Sequence, residues 1–459
     1  MTGGRLGAGR LAAVLLLTLA AGSVLLSGGG APVPAGGSDL TGELVTRTTL
    51  SCPGLSTPAG VTTGFTVGSA PVPGLPADGT VEYAAPGVPA RVVDLRRGDS
   101  RRLAGAPTRD GAVVDATGAI AAGLFGLRAD RGDGTLAAVR CPAPGASWWF
   151  TGAGATLDHS SRLVVSNVDP GPAVVDIAVF GRDGRVPSVG TAGITIAPGG
   201  RIVLRLSDVA PQSDELAVSV TADRGRVVAA VADSLSTRAA RPPGHEWIPS
   251  QVTASRVVRL SGLPVGPGDR TLLLANPAER EAVVELQVST ATGAFLPAGF
   301  EPVRVPPGSV VSVDVTDVLD RRVGALRISS SLPVLAGLRS VTGADISYAA
   351  VVAPFGARGV APLPRGARPT VLLTAGGLGG TATVTVHDAA GTATADRDLV
   401  IAPGATVRWS PAPGGAYLMV HTIAGSVHGA VALAGGGSAQ VPLTRLGVRV
   451  PRPEVRPAP

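Results

Sequence analysis

Five histidines, His159, His245, His387, His421 and His428, are the first residues to test for proton transfer or metal binding. Asp158-His159-Ser160 spells the letters of a catalytic triad, but adjacent residues on an extended chain point in different directions and cannot relay a proton among themselves. His245-Glu246 begins like a zinc-protease helix yet lacks the second histidine four residues on. His421 and His428 fall in strands that close the last repeat, where a structural role is expected. No serine stands in a Gly-x-Ser-x-Gly elbow, and no glycine-rich turn leads from a strand into a helix to cradle phosphate. Carboxylates mostly occupy turns, as at Asp183 before Gly184 and at Asp388. A glycosidase pair could therefore be assembled only by the tertiary structure. The expectation is no catalytic residue, no metal site and no cofactor.

Recognition chemistry is equally sparse. Arg97-Gly98-Asp99-Ser100 and Arg131-Gly132-Asp133 match a cell-adhesion tripeptide, but a chain this rich in Arg and Gly supplies such matches as ordinary turns. Trp148, Trp149 and Trp247 lie in segments connecting one repeat to the next, with Tyr348 and Phe355 at the following connection. An aromatic there seals the apolar end of one module against its neighbour. The functional alternative is a sugar-stacking platform, which makes the three tryptophans the candidate glycan contacts.

The elements that must position these residues follow from composition. Of 459 residues, 64 are Gly and 40 are Pro, without a strict short period, which excludes collagen. Apolar residues make up 45% and aromatics only 3%, so the chain folds around cores of Val, Leu, Ile and Ala. The net charge of +6 comes from Arg alone, since the sequence contains no Lys. Basic stripes interleaved with aromatics are absent, so nucleic acid is not an expected partner.

Arg5 and Arg10 precede a largely apolar stretch from Leu11 to Leu26, the pattern of an export signal. Those residues reach about 24 Å as a helix against roughly 30 Å of hydrocarbon, so cleaved signal and membrane anchor both remain open. Ala20-Ala21-Gly22 is an acceptable cleavage site, and residues 28–40 read as a Ser/Gly/Pro-rich stalk. An extracytoplasmic location, with the membrane met through the N-terminal segment, lets Cys52 and Cys141 form a disulfide. Two thiols cannot complete a zinc site alone.

Three segments repeat one motif, a short apolar strand ending in a small residue: Leu163 to Asn167, Leu272 to Asn276 and Val371 to Ala375. The only two asparagines occupy equivalent places in it. Pro-Gly turns follow at Pro198-Gly199, Pro307-Gly308 and Pro403-Gly404. A looser copy at the front places Thr49 to Pro53 with the Asn strands, Gly98 with the Pro-Gly turns, and Leu136 to Cys141 with the closing strands Val228 to Val231, Leu335 to Leu338 and His428 to Val431. Between these landmarks the apolar period is two, with turn signals every 8 to 14 residues.

The predicted fold is all-β: tandem Ig-like or fibronectin-like β-sandwich modules after an N-terminal hydrophobic export helix. The expected segments are 1–27 (signal or anchor), 28–40 (stalk), 41–146, 147–246, 247–350 and 351–445 (four sandwiches), and 446–459 (disordered tail). The disulfide should join the first and last strands of the first module, and reduction should weaken that module alone.

Several of these residues resemble the secreted actinobacterial family known as domain of unknown function 5719. They are Cys52-Pro53, Cys141-Pro142, Trp148 to Phe150, Leu163 to Asn167, Trp247 to Ser250, Leu272 to Pro277, Pro307-Gly308, Tyr348 to Ala350 and Leu372 to Ala375. The resemblance implies an envelope location in a high-GC Gram-positive bacterium and brings no activity or catalytic residue. Together these features predict a non-catalytic envelope protein that serves as a scaffold or binding module for cell-wall polymer or an envelope partner. The alternative is a carbohydrate-active or other extracellular hydrolase with its site at a module junction.

Overall fold

Period-two runs become strands almost wherever they occur. In Ala173–Gly181 the buried side chains alternate with half-buried ones, as the pleat demands of a strand with one face on a core. The computed structural model describes residues 42–85, 88–106, 108–132, 134–236, 244–263, 268–319 and 324–450. The expected export helix at 1–27, the stalk at 28–40 and the tail beyond residue 450 lie outside the described residues. Among those described, helix is confined to Thr316–Leu319 and two 3-10 turns, and none is long and apolar enough to cross a membrane.

The chain is all-β and built from small antiparallel sheets. In the second repeat one sheet runs Ser147–Ala153, Leu216–Arg224, Ala173–Gly181, Gly184–Val186, and the other runs Arg201–Arg205, His159–Ser166, Val228–Leu235, Gly244–Ile248. Phe150, Val175, Ile177 and Val218 from the first sheet share one apolar cluster with Leu163, Val165 and Val231 from the second. Immunoglobulin sandwiches carry strands ABED against CFG. Here Arg201–Arg205 lies beside His159–Ser166 while Ala173–Gly181 pairs with Leu216–Arg224, so the strands are divided between the two sheets differently.

The first repeat has the same pattern, with a corrected register. Thr62–Ser69 pairs with Ser100–Arg102 and Leu124–Gly132, just as His159–Ser166 pairs with Arg201–Arg205 and Val228–Leu235. Thr62–Ser69, rather than Thr49 to Pro53, is thus the counterpart of the Asn strands. Leu136 to Cys141 corresponds to Gly244–Ile248, one strand later than expected. The cause is sequence divergence: Thr-Thr-Gly-Phe-Thr-Val-Gly-Ser has neither the Leu run nor the terminal Asn. Cys52 and Cys141 are bonded, with Cα atoms 4.2 Å apart, at the ends of the first strand of that repeat's paired sheets, Arg47–Cys52, and the last, Thr135–Arg140.

Asn167 and Asn276 act identically. Each side-chain amide donates to the carbonyl four residues on, at 2.8 Å (Gly171) and 2.7 Å (Arg280). Each also donates to the strand entering the Pro-Gly turn, at 3.0 Å to Ile196 and 3.0 Å to Val305. Later repeats fuse strands: Ala325–Thr342, Arg368–His387 and Tyr417–Ala434 each continue from one sheet segment into the next. At one crossing, Gly425 adopts φ +77°, and a Cβ there would stand 2.2 Å from the Gly379 carbonyl oxygen.

The four repeats close into a ring. Their last sheet strands, Thr135–Arg140, Gly244–Ile248, Asp345–Tyr348 and Ser438–Pro442, each lie against the next, and the fourth lies against the first. Turns repeat the same handover: Gly184 meets Gly308, Ala294 meets Gly404, and Gly391 packs on Gly98, where the sequence placed a Pro-Gly equivalent. Glu43–Leu44 pairs with Arg449–Val450, and Leu446 and Val448 are buried with Ala70, Val72 and Phe125. Residues 446–450 are therefore part of the fold, correcting the expected start of the tail. Apolar side chains in that segment find a cluster made by the first and fourth repeats, which composition alone does not reveal.

Candidate functional site

The ring axis gathers the polar residues that interrupt otherwise apolar strands. Arg128 is fully buried. It donates through Nε to Asp130 at 3.0 Å, through Nη1 to the Pro53 carbonyl at 2.7 Å and through Nη2 to Leu55 at 3.0 Å. Its guanidinium lies 4.8 Å from the Trp247 ring centre, a cation–π contact between the first and second repeats. Trp247 Nε1 donates to Asp130 Oδ2 at 2.9 Å. Burial alone would push the Asp130 carboxyl up, but His245, Arg128 and the Thr63 hydroxyl together hold it down at about 2. His245 Nε2 stands 3.6 Å from Asp130 Oδ2, beyond hydrogen-bond range, so Arg128 is the closer partner.

Two acids nearby behave oppositely. Glu246 Oε1 accepts from the backbone N–H of Ala138 at 3.0 Å and of Trp247 at 2.8 Å, while Oε2 has no hydrogen-bond partner. Burial pushes its carboxyl well above the usual range. Asp345 Oδ2 accepts from Ser438 N at 2.6 Å and Ser438 Oγ at 3.1 Å. Its Oδ1 is unpartnered, and burial pushes this carboxyl up to about 7. Each acid thus uses one oxygen to hold the closing strand of a neighbouring repeat and turns the other into the buried interior.

A second network joins repeats two and three. Asp233 is fully buried. It accepts from His159 Nε2 at 3.0 Å, from the Ser161 hydroxyl and from the Tyr348 hydroxyl at 2.8 Å. Burial opposes the charged His159, but the charge and hydrogen bond of Asp233 override it and raise the imidazole. Serine and histidine both bond the carboxylate rather than each other, so no nucleophile–base contact exists here. Beside it, Arg339 grips Glu215 with two bonds of 2.7 and 3.3 Å.

A cleft of about 460 Å³ opens between these two repeats, lined by Arg182, Asp183, Arg185, Gln212, Asp214 and Glu215 together with Val310 and Ser312. Its carboxylates all come from the second repeat, and the third contributes only an apolar and a hydroxyl side chain. Gln212, with φ +60°, is the only non-glycine residue at positive φ among those described. None of the described His, Cys, Asp and Glu residues forms a group of three able to hold a metal.

A family model matches residues 98–412, more than half of the chain. The chain belongs to the family of unknown function DUF5719. The match begins inside the first repeat and ends inside the fourth, so this family member's shared core includes most of the ring. No curated protein matches it. Among solved structures, the α-L-rhamnosidase of Streptomyces avermitilis complexed with L-rhamnose aligns at 11% identity and a TM-score of 0.13. That alignment covers 84% of this chain and 57% of the rhamnosidase, so the chain spans little more than half of that protein's length. At that score the likeness carries no argument.

The residues singled out from sequence are dispersed. Trp148 is 6% exposed in the core of the second repeat, where it donates to the Val227 carbonyl at 3.0 Å. Trp247 is 3% exposed at the axis, so neither indole offers a free face to a sugar. Trp149 is half-buried against Phe180, ring centres 5.5 Å apart, at the joint between repeats two and three. Trp148 and Trp247 are thus buried within and between repeats, whereas Trp149 keeps part of its surface exposed. Gly98 packs on Gly391 and Asp99 is buried, which withdraws the first adhesion-like tripeptide from solvent. Asp133 in the second such tripeptide lies outside the described residues.

Sequence reasoning missed Arg128, Asp130, Asp233 and Asp345, and met Glu246 only as part of the His245-Glu246 pattern. A charged residue at a buried parity, as in Leu127-Arg-Ala-Asp130, is the signal that could have found them.

Proposed function

We propose that this protein is a non-catalytic extracytoplasmic scaffold or binding module, a closed ring that presents a rigid surface to cell-wall glycan or an envelope partner. On this reading each repeat is a β-sandwich of the general immunoglobulin or fibronectin kind, with its strands divided differently between the two sheets. One observation carries the proposal: the side chains most capable of chemistry bridge repeats instead of lining a shared cavity. Arg128 meets Trp247, Glu246 meets Ala138, Asp345 meets Ser438, and Tyr348 meets Asp233. The Cys52–Cys141 bond supports an oxidising compartment.

The test exposes full-length protein to purified cell wall and to a panel of glycosides. Sedimentation with the wall and no released sugar is expected; turnover would overturn the reading. The cleft lined by Asp183, Asp214 and Glu215 supports a second reading, an extracellular carbohydrate hydrolase. Turnover abolished by Asp214→Asn with the melting temperature unchanged would establish it.

A further inference from the structure

The axis holds two buried acids that no binding role explains. Glu246 is 2% exposed and Asp345 9% exposed, and each has one carboxylate oxygen without a partner. Their partnered oxygens hold different neighbours: Glu246 takes the Ala138 amide of repeat one, and Asp345 takes the Ser438 amide and hydroxyl of repeat four. The two acids therefore sit where three joints of the ring meet, since the strands bearing them also lie against each other. A negative charge on either oxygen would lack a hydrogen-bond partner in a buried interior, which is unfavourable unless a cation or donor compensates it.

The groups facing them do not supply that compensation. On the strand of Glu246 are His245 and Trp247. From the first repeat come Asp130, whose charge opposes that of Glu246, and Arg128, already engaged by Asp130 and the carbonyls of Pro53, Leu55 and Thr108. Arg140 from that repeat turns away to the Val360 carbonyl at 2.8 Å. The adjacent strand Val228–Leu235 brings Asp233, tied to His159 and Tyr348. Beside Asp345, Arg339 is held by Glu215, and the fourth repeat offers only Ser438 and Gln440. Ser438, the Ile346 amide and His245 favour an ionised Asp345, but burial outweighs them together.

We propose that the ring axis is a proton-operated joint: the four repeats close tightly while Glu246 and Asp345 hold their protons and loosen as the two acids ionise. Physically, the folded ring retains these protons where the unfolded chain has released them. Between the ordinary carboxylate value near 3.8 and the folded value of about 7 for Asp345, the unfolded state binds fewer protons, so stability falls with rising pH. Above that range the penalty is constant. The effect is distinct from the scaffold reading and stands or falls without it.

The test uses the full chain at constant ionic strength. The melting temperature of the unmodified protein should fall progressively between about pH 4 and pH 7. Asp345→Asn should remove most of the fall, and Glu246→Gln should raise the melting temperature at pH 8 relative to the unmodified chain. Amide exchange at Ala138 and Ser438 should accelerate with pH more than the intrinsic chemistry of exchange predicts, which reads the joint even where a variant fails to fold. An infrared band of protonated buried carboxyl at pH 6, lost in the variants, is the matching signature. A flat melting profile, parallel slopes in protein and variants, or exchange at both amides that follows intrinsic chemistry alone would overturn the proposal.

Discussion

The Tyr417 hydroxyl donates to the Gly98 carbonyl at 2.6 Å, joining residues 319 positions apart at the seam between the last repeat and the first. His387 stacks on the Tyr417 ring at 4.8 Å, and Phe125 of the first repeat tilts against it at 5.0 Å. Gly391 completes the contact, because a Cβ there would lie 2.7 Å from the Gly98 backbone. The seam is closed by shape, by this hydroxyl and by the Ala389 carbonyl, which accepts from Ser100 N at 3.0 Å and Arg101 Nη1 at 3.1 Å. Tyr417→Phe keeps the ring but leaves the Gly98 carbonyl without its donor, so a loss of about 1–3 kcal/mol is expected in denaturant unfolding. Gly391→Ala should open the seam further, seen as faster proteolysis near residues 446–450.

Arg128 and Asp130 form a buried pair, and removing one partner leaves the other charge stranded. Arg128→Met should destabilise by roughly 3–5 kcal/mol. The double variant Arg128→Met with Asp130→Asn should recover part of that loss. A double-mutant cycle in which the two single losses simply add would show that the pair is not coupled.

The Cys52–Cys141 bond closes a segment with a sequence separation of 89 residues. In the chain-entropy model it stabilises by roughly 4–5 kcal/mol. The sequence suggested that reduction weakens the first repeat alone. The ring argues otherwise: Leu127, Leu136 and Ala138 belong to the same apolar cluster as Leu373 and Val431 of the fourth repeat. Reduction should therefore lower amide protection in the first and fourth repeats together, measured by hydrogen exchange.

Acid acts on the ring with the opposite sign to the axial acids. Asp130 has a folded value of about 2 against 3.8 unfolded, so its contribution is present above about pH 4 and lost as pH falls through 2. The contribution of His159, whose value is raised by Asp233, is complete below its unfolded value of 6.5 and is lost as pH rises through the higher folded value. Stability measured by denaturant midpoint should peak in the mildly acidic range. Asp130→Asn should flatten the acid limb while leaving the alkaline limb in place.

Some of this was legible in the chain itself. Asn167, Asn276 and the Pro-Gly turns act through hydrogen bonds spanning a few dozen residues at most, so their spacing alone announced strand ends and repeats. Period-two runs such as Ala282–Thr290 identified strands, and two lone cysteines identified their own partner. Tertiary structure decided the rest. Glu246 and Asp345 are separated by about a hundred residues, and only closure of the ring brings their strands into contact and removes water from both. Trp247 reads as a connector residue until Arg128 is placed 4.8 Å from its ring. Local hydrogen bonding is written in spacing, whereas desolvation depends on which distant surfaces meet, and no short-range pattern encodes that meeting.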